Sequence, residues 1–544
     1  MIVMTDGEVR RDSLRPGGFA STPELYADLS VDELVQTWSR QIPDATAFVT
    51  AERSMTWREY DRFAEAIATR LRRTGAPRSR VALLLPDTGV IHAALCGAYR
   101  ANRVAAAIAI RSGLREIAHV MARTGASTLV TVESIRGRSW RELLAELREY
   151  DIAPSNVLVL DEDSYRVARH QLADDDTASE AAEPFTTSDI TILNSTSGTT
   201  GLPKVVTHTE RRWVAFAREA MSGGRIGPAD VICSVVPAPY GFGLWSAHFL
   251  PALLGIPVVL TARFDTADTA LLVERERATV LCCVSTQFKM LLRSENAREH
   301  DLSSLRVLYT GGEPVPYDDA LAFEQRTGAS VLQFYGSNES GAVSRTTLDD
   351  DVDTRLRTCG RILPSMTVRI LDDTGADATG SPRRGQPAVR GPLVSPGYWD
   401  DPAANAELFT ADGWMLLGDI VEVDDTDRVR VVGRTADFVI RGGKNISIVE
   451  IEQLVRAHPS VSDVAVVGVP DPIFGERVCA VVVLTTGADL TTETLASWLR
   501  AEGVSAEYLP EYVVPVDRLH LGPGGKTDRA AAREAASGVV NLGR

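Results

Sequence analysis

The chain has 544 residues, which is too long for one hydrophobic core, so we expect about three to four domain-sized units. The net charge of −16 disfavours nucleic acid or an anionic membrane as the main partner. The six cysteines show no CxxC or zinc spacing and the eight histidines no ligand pattern, which predicts reduced thiols and no metal held by cysteine or histidine. The N-terminus lacks a signal-peptide pattern and no apolar stretch is long enough to span a bilayer, so we expect a soluble, cytoplasmic protein.

The first part of the chain alternates short apolar runs with amphipathic stretches. The runs at 55–57, 81–85, 129–132 and 157–160 predict strands, and the stretches at 58–75, 90–101 and 140–150 predict helices. The continuous apolar character of residues 81–85 is typical of a buried parallel strand. The polar, acidic stretch 161–189 predicts a surface excursion. This alternation predicts an α/β fold with mostly parallel sheets.

Further strands are predicted after the surface excursion, at 190–193, 231–236, 258–261, 280–284, 307–309 and 331–334. From about residue 365 the pattern changes to alternating strands split by Asp and Gly turns, which predicts a β-rich subdomain. The segments after residue 437 predict helices at 448–458 and 492–502 and strands at 464–469 and 479–484. We therefore predict a large N-terminal domain at 1–433, made of parallel-sheet α/β subdomains plus the β-rich subdomain, and a small C-terminal α+β domain at 434–544.

The stretch from Thr196 to Lys204 has the composition of a phosphate-binding loop. It follows a predicted strand and carries hydroxyls, two glycines that let the backbone turn tightly, and a lysine charge. It is not a Walker A loop, because the lysine is preceded by Pro203 and followed by Val205. A surface turn rich in Ser, Thr and Gly is the alternative.

Two later loops follow predicted parallel strands at their carboxyl ends, where open α/β sheets bind ligands. The first is Gly311-Gly312-Glu313, and the second is the run Tyr335-Gly-Ser-Asn-Glu339. Tyr335 could stack on an adenine ring, and Glu339 is the kind of hard oxygen donor expected for Mg²⁺ beside phosphates. Each loop alone could equally be an ordinary turn.

These loops and three later motifs together resemble the adenylate-forming superfamily, of the acyl-CoA synthetase or aryl-CoA ligase type. The resemblance spans residues 56–529, and it rests on residues 196–204, 311–313, 335–340, 413–419, 433–445 and 523–529. It implies a ligase that joins a carboxylate to AMP and then transfers the acyl group to a thiol. It also implies that the C-terminal domain is mobile, presenting one group for each half-reaction.

The resemblance implies an ATP site. Its catalytic residues are Lys204, Glu339 and Lys526, with Glu339 as the Mg²⁺ ligand and Lys526 neutralising charge as the carboxylate attacks the α-phosphorus. Asp419 takes the ribose hydroxyls, and Arg434 contacts ribose or phosphate. The implied ATP- or AMP-binding residues are Thr196, Ser197, Gly198, Thr199, Thr200, Gly201, Gly311, Gly312, Glu313, Tyr335, Gly336, Asn338, Asp419 and Arg434.

The resemblance also implies a site for CoA. Gly442 and Gly443 lack Cβ atoms and could line a narrow tunnel for pantetheine, while Arg441, Lys444 and Asn445 are candidates for binding CoA. A solvated basic turn is the alternative for the two cations. CoA is the expected thiol, since no carrier domain follows the C-terminal domain, and a separate carrier protein is the alternative. We expect a monomer or homodimer.

The acyl pocket implied by the resemblance includes Tyr240, Gly241, Phe242, Trp245 and Ser337. Relatives that activate amino acids usually carry an Asp in the stretch equivalent to 239–245, and this stretch has no acid. An α-amino acid is therefore disfavoured, and the aromatic side chains favour an aromatic or bulky alicyclic acid. The alternative is that Phe242 and Trp245 simply pack in the core.

Four residues depart from the family pattern. Val205 stands where Gly is common, Asn338 replaces Thr, Leu417 replaces Thr or Ser, and Ala436 replaces the usual Asp or Lys of the hinge. We expect Val205 to restrict the backbone and Leu417 to lose a hydroxyl, which would weaken the ATP site. The alternatives are an enzyme that accepts a preformed acyl-adenylate and only forms the thioester, a stand-alone enzyme that loads a carrier protein, and a nucleotide-binding regulatory pseudo-enzyme.

Overall fold

The computed structural model describes residues 29–171, 183–195, 203–313, 315–372, 374–434, 438–441, 444–471, 475–502, 504, 509–521 and 527–540. The chain divides into two compact units. The first comprises Met1–Thr196, Leu202–Val368 and Val389–Met415, and the second comprises Ser197–Gly201, Arg369–Ala388 and Leu416–Arg544. The predicted boundary at 433/434 stays a prediction.

A nine-stranded sheet dominates the first unit. Its six central strands are parallel, and antiparallel strands lie at both edges. The order across the sheet is Arg361–Ile362, Gly341–Arg345, Ser330–Ser337, Val307–Gly311, Val280–Cys282, Ile232–Ser234, Val258–Leu260, Thr46–Val49 and Ser54–Thr56. Because the central strands are buried on both faces, they read as continuous apolar runs.

A seven-stranded sheet is the second layer of the same unit. Five central strands are parallel and both edge strands are antiparallel. The order is Val205–Thr209, Ile190–Ser195, Val104–Ile108, Arg80–Leu84, Thr128–Val132, Asn156–Asp161 and Arg166–Gln171. A two-stranded ribbon, Ser134–Ile135 with Arg138–Ser139, lies outside this sheet.

Helices cover the sheets of the first unit. Helix Trp57–Leu71 buries the face predicted from its spacing, and Thr56 caps it through a reciprocal bond with Glu59. A π-helical turn, Leu244–Phe249, follows the short turn Gly241–Gly243. The other helices are Val31–Gln41, Gly89–Arg100, Leu114–Thr124, Trp140–Leu147, Arg148–Tyr150 (3₁₀), Glu210–Gly224, Leu250–Leu254, Thr266–Glu276, Ser285–Arg293, Glu295–Arg298, Tyr317–Thr327, Val352–Arg357 and Pro402–Leu408.

Two antiparallel sheets belong to the later part of the chain. One has the strands Thr367–Leu371, Arg383–Arg390, Met415–Leu416, Asp419–Val423 and Val429–Arg434, as the β-rich pattern predicted. The other has Lys444–Ser447, Phe438–Arg441, Gly475–Leu484 and Val461–Asp471, with Tyr512–Pro515 pairing parallel to the third of these. Helices Ile448–Arg456, Thr492–Ala501 and Arg529–Val540 complete the C-terminal α+β part.

The α/β class is confirmed, and the sequence missed several elements. Val104–Ile108 is mostly alanine, so its strand propensity is low, yet it is central in the seven-stranded sheet. The excursion predicted at 161–189 contains the edge strand Arg166–Gln171. None of the six cysteines forms a disulfide; five are buried and Cys359 is partly buried. Within the described ranges, no helix is both long and apolar enough to cross a membrane.

Candidate active site

The candidate site begins at two loops that leave neighbouring parallel strands. Val307–Gly311 pairs with Ser330–Ser337 in a register that sets Gly311 opposite Phe334. A Cβ atom on Gly311 would lie 2.7 Å from the Phe334 carbonyl oxygen, so the strands could not keep this approach with a larger residue. Gly312 then takes a φ of +80°, which turns the chain away from the sheet. Both loops emerge at the same edge, as the sequence predicted.

The second loop is a tight turn stabilised by its own serines. Ser337 and Ser340 exchange hydrogen bonds: Ser337 N donates to Ser340 Oγ at 2.9 Å, and Ser340 N donates to Ser337 Oγ at 3.0 Å. Gly341 closes the turn at a φ of +66°, with Leu393 packed so closely that a Cβ would meet its carbonyl oxygen at 2.7 Å. The turn therefore presents Asn338 and Glu339 from a defined backbone.

A buried arginine anchors this turn, and sequence reasoning missed it. Arg212 lies on helix Glu210–Gly224 with 2% of its surface exposed. It donates to the carbonyl oxygens of Asn338 at 2.9 Å, Glu339 at 3.1 Å and Leu393 at 2.8 Å. Burial lowers the pKa of Arg212 to about 9, and the negative charge of Glu339 opposes that shift. The available signal was a charged residue within a helix whose buried positions are mostly apolar.

The Glu339 side chain is held by a tyrosine that the sequence did not single out. Tyr398 Oη donates to Glu339 Oε1 at 2.8 Å, and Ser395 N donates to the Glu339 carbonyl oxygen at 2.7 Å. The Lys204 ammonium lies 4.9 Å from the centre of the Tyr398 ring. Burial, with the charge of Glu339 next, raises the pKa of Tyr398, so its hydroxyl stays protonated as a donor. Tyr398 thereby brings together the two predicted catalytic residues of this unit.

Asn338 belongs to a buried hydrogen-bonded chain. Its Nδ2 donates to Asn194 Oδ1 at 2.6 Å, and Asn194 Nδ2 donates back to Asn338 Oδ1 at 3.3 Å. His208 Nε2 lies 2.7 Å from the same Asn194 oxygen, and Arg212 donates to His208 Nδ1. Burial, then the charge of Arg212, lowers the pKa of His208, so the imidazole is neutral. The chain links the turn to the end of strand Ile190–Ser195.

The segment predicted to line the acyl pocket lies beside Asn338. A Cβ on Gly241 would be 2.6 Å from Asn338 Oδ1 and 2.7 Å from Trp213 Cη2, so only glycine permits this approach. Tyr240 and Phe242 are half-buried, and Ser337 is exposed.

Trp245 differs from its neighbours because only 1% of its surface is exposed. Its ring lies 5.3 Å from Phe216, 5.7 Å from Phe334 and 5.5 Å from Tyr309 between centroids. Trp245 thus packs in an aromatic core, which was the alternative for this residue. Its place in the acyl pocket stays a prediction.

A buried carboxyl group binds the backbone just before the segment proposed to line the acyl pocket. Asp87 Oδ1 accepts a hydrogen bond of 2.8 Å from Ala238 N, two residues before Tyr240. Asp87 is 4% exposed, and burial raises its pKa to about 7. Asp87 is therefore a buried titratable group that helps to position this segment, and no motif in the sequence marks it.

Two of the departures from the family pattern are buried side chains. Val205 starts the edge strand Val205–Thr209, is 2% exposed and belongs to the core cluster that includes Leu193. A β-branched residue suits this extended backbone, so the expected restriction does not strain the chain. Leu417 is 4% exposed, and its carbonyl accepts from Gln386 Nε2 at 2.8 Å. Both side chains lie in the interior, and the expected weakening of the ATP site stays a prediction.

Glu313, Tyr335 and Gly336 belong to the first unit, where Tyr335 is buried. The other remaining predicted residues belong to the second unit or lie outside the described residues. Asp419 stands opposite Arg434 in an antiparallel pair, and Arg441 stands opposite Lys444, with Asn445 next to it. Arg529 of the last motif pairs with Glu452 at 2.5 Å, which joins two helices of this unit. Predicted residues outside the described part are Thr196, Ser197, Gly198, Thr199, Thr200, Gly201, Ala436, Gly442, Gly443 and Lys526.

The carboxylate of Glu339 suits a hard cation held jointly with phosphates. Among the described residues, no group of three or more His, Cys, Asp or Glu side chains could hold a metal ion. Glu339 is half-buried and anchored through one oxygen, which fits a single protein ligand to Mg²⁺.

Comparison with known proteins shows which families the chain resembles. A family model described as AMP-binding enzyme matches residues 35–399, and a model described as AMP-binding enzyme C-terminal domain matches residues 450–526.

Relatives of similar length match almost the whole chain. Triostin synthetase I of Streptomyces triostinicus is 30% identical and covers 95% of this chain and 98% of its own length. A feruloyl-CoA synthase of an Amycolatopsis species is 31% identical, covering 91% of this chain and 96% of its own. The crystal structure of ATP-bound MatB from Rhodopseudomonas palustris matches with a TM-score of 0.80 and 25% identity, over 93% of this chain and 99% of that chain.

Proposed function

This chain belongs to the AMP-binding enzyme family as an AMP-forming acid–thiol ligase, and we propose that it activates an aromatic or bulky alicyclic carboxylic acid and transfers it to CoA. The observation that carries the proposal is that Tyr398 contacts both residues: its hydroxyl donates to the Glu339 carboxylate, and its ring faces the Lys204 ammonium. A lysine charge close to an anchored carboxylate suits the phosphates of a nucleoside triphosphate and their Mg²⁺.

The reaction we propose has two half-reactions. A carboxylate oxygen of the acid attacks the α-phosphorus of ATP, the bond to the bridging oxygen breaks, and pyrophosphate leaves. The CoA thiol, losing its proton, then attacks the acyl carbonyl, and AMP leaves with the electron pair of the broken carbon–oxygen bond. The first step is needed because oxide is too poor a leaving group for a thiol to displace.

The residues of the first unit have separate roles in the first step. Lys204 supplies positive charge to the phosphates, and Glu339, oriented by Tyr398, would hold Mg²⁺, which neutralises phosphate charge when bound. Arg212 keeps the turn that carries Glu339 in place through three carbonyl oxygens. Lys526 of the C-terminal domain is proposed to stabilise the attacking carboxylate at the α-phosphorus.

The nature of the acid is inferred from the pocket segment and from the relatives. Tyr240 and Phe242 are half-buried, and residues 239–245 contain no carboxylate to pair with an α-ammonium group. The name of the feruloyl-CoA synthase describes an aromatic acid. Both observations support an aromatic acid, with a bulky alicyclic acid as the second choice for the same apolar surface.

The alternative that uses only preformed acyl-adenylates loses its main support. It rested on Val205, Asn338 and Leu417 as losses at the ATP site. Val205 and Leu417 are interior side chains, and Asn338 has a reciprocal partner in Asn194. These contacts support an intact adenylation step.

One experiment separates the candidate functions. The full chain is incubated with a library of carboxylic acids, Mg-ATP and CoA, then with synthetic acyl-adenylates and CoA, and products are identified by mass spectrometry. We expect acyl-CoA, AMP and pyrophosphate from an aromatic or alicyclic acid. Thioester from adenylates alone would establish the thioesterification-only function, and ADP with phosphate would exclude the proposed mechanism.

A further inference from the structure

The amide of Asn338 lies against the segment proposed to line the acyl pocket. The oxygen Oδ1 is the atom nearest to a Cβ placed on Gly241, at 2.6 Å, and the edge of Trp213 is next at 2.7 Å. Gly241 is buried, whereas Asn338 is only half-buried, so part of this residue remains accessible. The resemblance implied that Asn338 binds ATP or AMP; in the structure its side chain contacts Asn194 and lies next to Gly241.

The hydrogen-bonded chain behind Asn338 fixes which of its two polar atoms accepts. Arg212 can only donate, so His208 Nδ1 must accept from it and His208 Nε2 carries the proton. That N–H donates to Asn194 Oδ1, and Asn338 Nδ2 donates to the same oxygen. Asn194 Nδ2 is then left to donate to Asn338 Oδ1. An amide flip at Asn338 would set N–H against N–H, which the buried pair cannot satisfy.

Asn338 Oδ1 therefore lies beside Gly241 of the proposed acyl pocket. It is a hydrogen-bond acceptor with two lone pairs. Asn194 Nδ2 donates to this oxygen from 3.3 Å, and the second lone pair has capacity for one further donor. A carbonyl-type oxygen accepts from a hydroxyl or an amino group, and it repels an ether oxygen that has only lone pairs.

We propose that Asn338 is a specificity-determining residue that accepts a hydrogen bond from the acid, so that preferred substrates carry a hydroxyl or amino group on the ring. This inference rests on the proposed function. It adds to that function a polar requirement on the acyl side, which an apolar pocket alone does not impose. Arg212, His208 and Asn194 are positioning residues, since they act through Asn338.

The test compares matched acids on the full-length enzyme. For each ring, the parent acid, its hydroxy and amino derivatives and its methoxy derivative are assayed at each ring position for acyl-CoA formation, and kcat/KM is measured. At one position we expect a hydroxy or amino acid to exceed the methoxy and parent acids by about tenfold or more. Comparing the hydroxy acids with the amino-substituted acids shows which of the two donors the site prefers.

Two substitutions then test whether Asn338 causes the preference for hydroxy or amino-substituted acids. Asn338→Leu keeps the size without hydrogen bonding, and Asn338→Thr introduces the residue common in the family. Both should reduce the preference for the donor to within about threefold. A purely structural role would lower kcat/KM for all acids alike and leave their ratio unchanged.

The two hypotheses fail in different ways. Unchanged ratios in both variants, or a wild-type preference for the parent or methoxy acids, would overturn the role of Asn338 while acyl-CoA still forms. If no acid gives acyl-CoA, the proposed function fails. Equilibrium binding of the same acids to wild type and Asn338→Leu then still measures the preference, and equal affinities for hydroxy and methoxy acids would overturn the inference as well.

Discussion

Tyr398 Oη donates a 2.8 Å hydrogen bond to Glu339 Oε1, although the two residues are 59 positions apart in the chain. The same ring lies 4.9 Å from the Lys204 ammonium. One side chain therefore orients the carboxylate and faces the cation of the proposed phosphate site.

Replacing Tyr398 with Phe should slow adenylation by about tenfold, because it removes one hydrogen bond to a charged group and keeps the ring beside Lys204. Pyrophosphate release measures the step. Tyr398→Leu also removes the ring, so it should slow adenylation further. Equal activity of wild type and Tyr398→Phe would show that Glu339 needs no orientation from this hydroxyl.

Replacing Arg212 with Leu should lower stability by about 3 kcal/mol or more, because three carbonyl oxygens lose their donor in a buried place. Arg212→Lys should recover little, since an ammonium cannot form the same planar fork. Thermal unfolding provides the measurement. The exposed Arg357 gives a matched control, for which replacement by Leu should cost under about 1 kcal/mol. Full stability of Arg212→Lys would contradict the geometric argument.

Val205→Gly, the change that restores the common family residue, should destabilise the protein by about 2–4 kcal/mol. The substitution removes a side chain that is 2% exposed from the core and adds backbone freedom to a strand. The midpoint of thermal unfolding should fall, and the adenylation rate should not rise. Val352→Gly, at an exposed position, is the control and should cost about 1 kcal/mol or less. Faster adenylation in Val205→Gly would revive the thioesterification-only alternative.

Asp87→Asn should stabilise the protein at high pH and not at low pH. The Asp87 pKa is raised by burial from 3.8 to about 7, so the folded state binds more protons than the unfolded state between these values. Stability contributed by the neutral carboxyl is therefore present below about pH 4 and is lost as pH rises to 7. Above pH 7 the free energy of unfolding of the variant should exceed that of wild type by on the order of 2–4 kcal/mol.

Thermal unfolding of both proteins from pH 4 to pH 8 measures this difference. Asp44→Asn is the control, because Asp44 is an exposed carboxylate with 84% of its side-chain surface accessible, and it should show no such trend. A difference between Asp87→Asn and wild type that does not vary with pH would mean that Asp87 is ionised throughout.

Lys526→Ala should abolish most adenylate formation and spare thioester formation from supplied acyl-adenylate. A bulky substitution at Gly443, such as Gly443→Trp, should do the reverse by closing the proposed pantetheine tunnel. The reason is that the two residues are proposed to serve different half-reactions. Separate assays of pyrophosphate release and of thioester formation measure them. Loss of the same half-reaction in both variants would refute the alternation of domains.

The sequence by itself determined the fold class and most of the local elements. In helix Trp57–Leu71, the apolar spacing and the Thr56–Glu59 capping box are local signals, and both the burial and the cap appear as those signals require. The glycines at 311 and 312 likewise mark a close approach and a positive φ that few other residues tolerate. Such features depend only on residues that are close in the chain, so they can be predicted from the sequence.

Only the tertiary structure decided how the site is held. Arg212 reaches the Asn338 carbonyl across 126 positions, and Asn194 reaches Asn338 across 144. Single polar residues at such separations leave no periodic trace, because the partner of each is set by which strands become neighbours in the sheets. Val205 shows the same limit: it stands where the family commonly has Gly, and its side chain fills the core, since strand pairing determines which way it points.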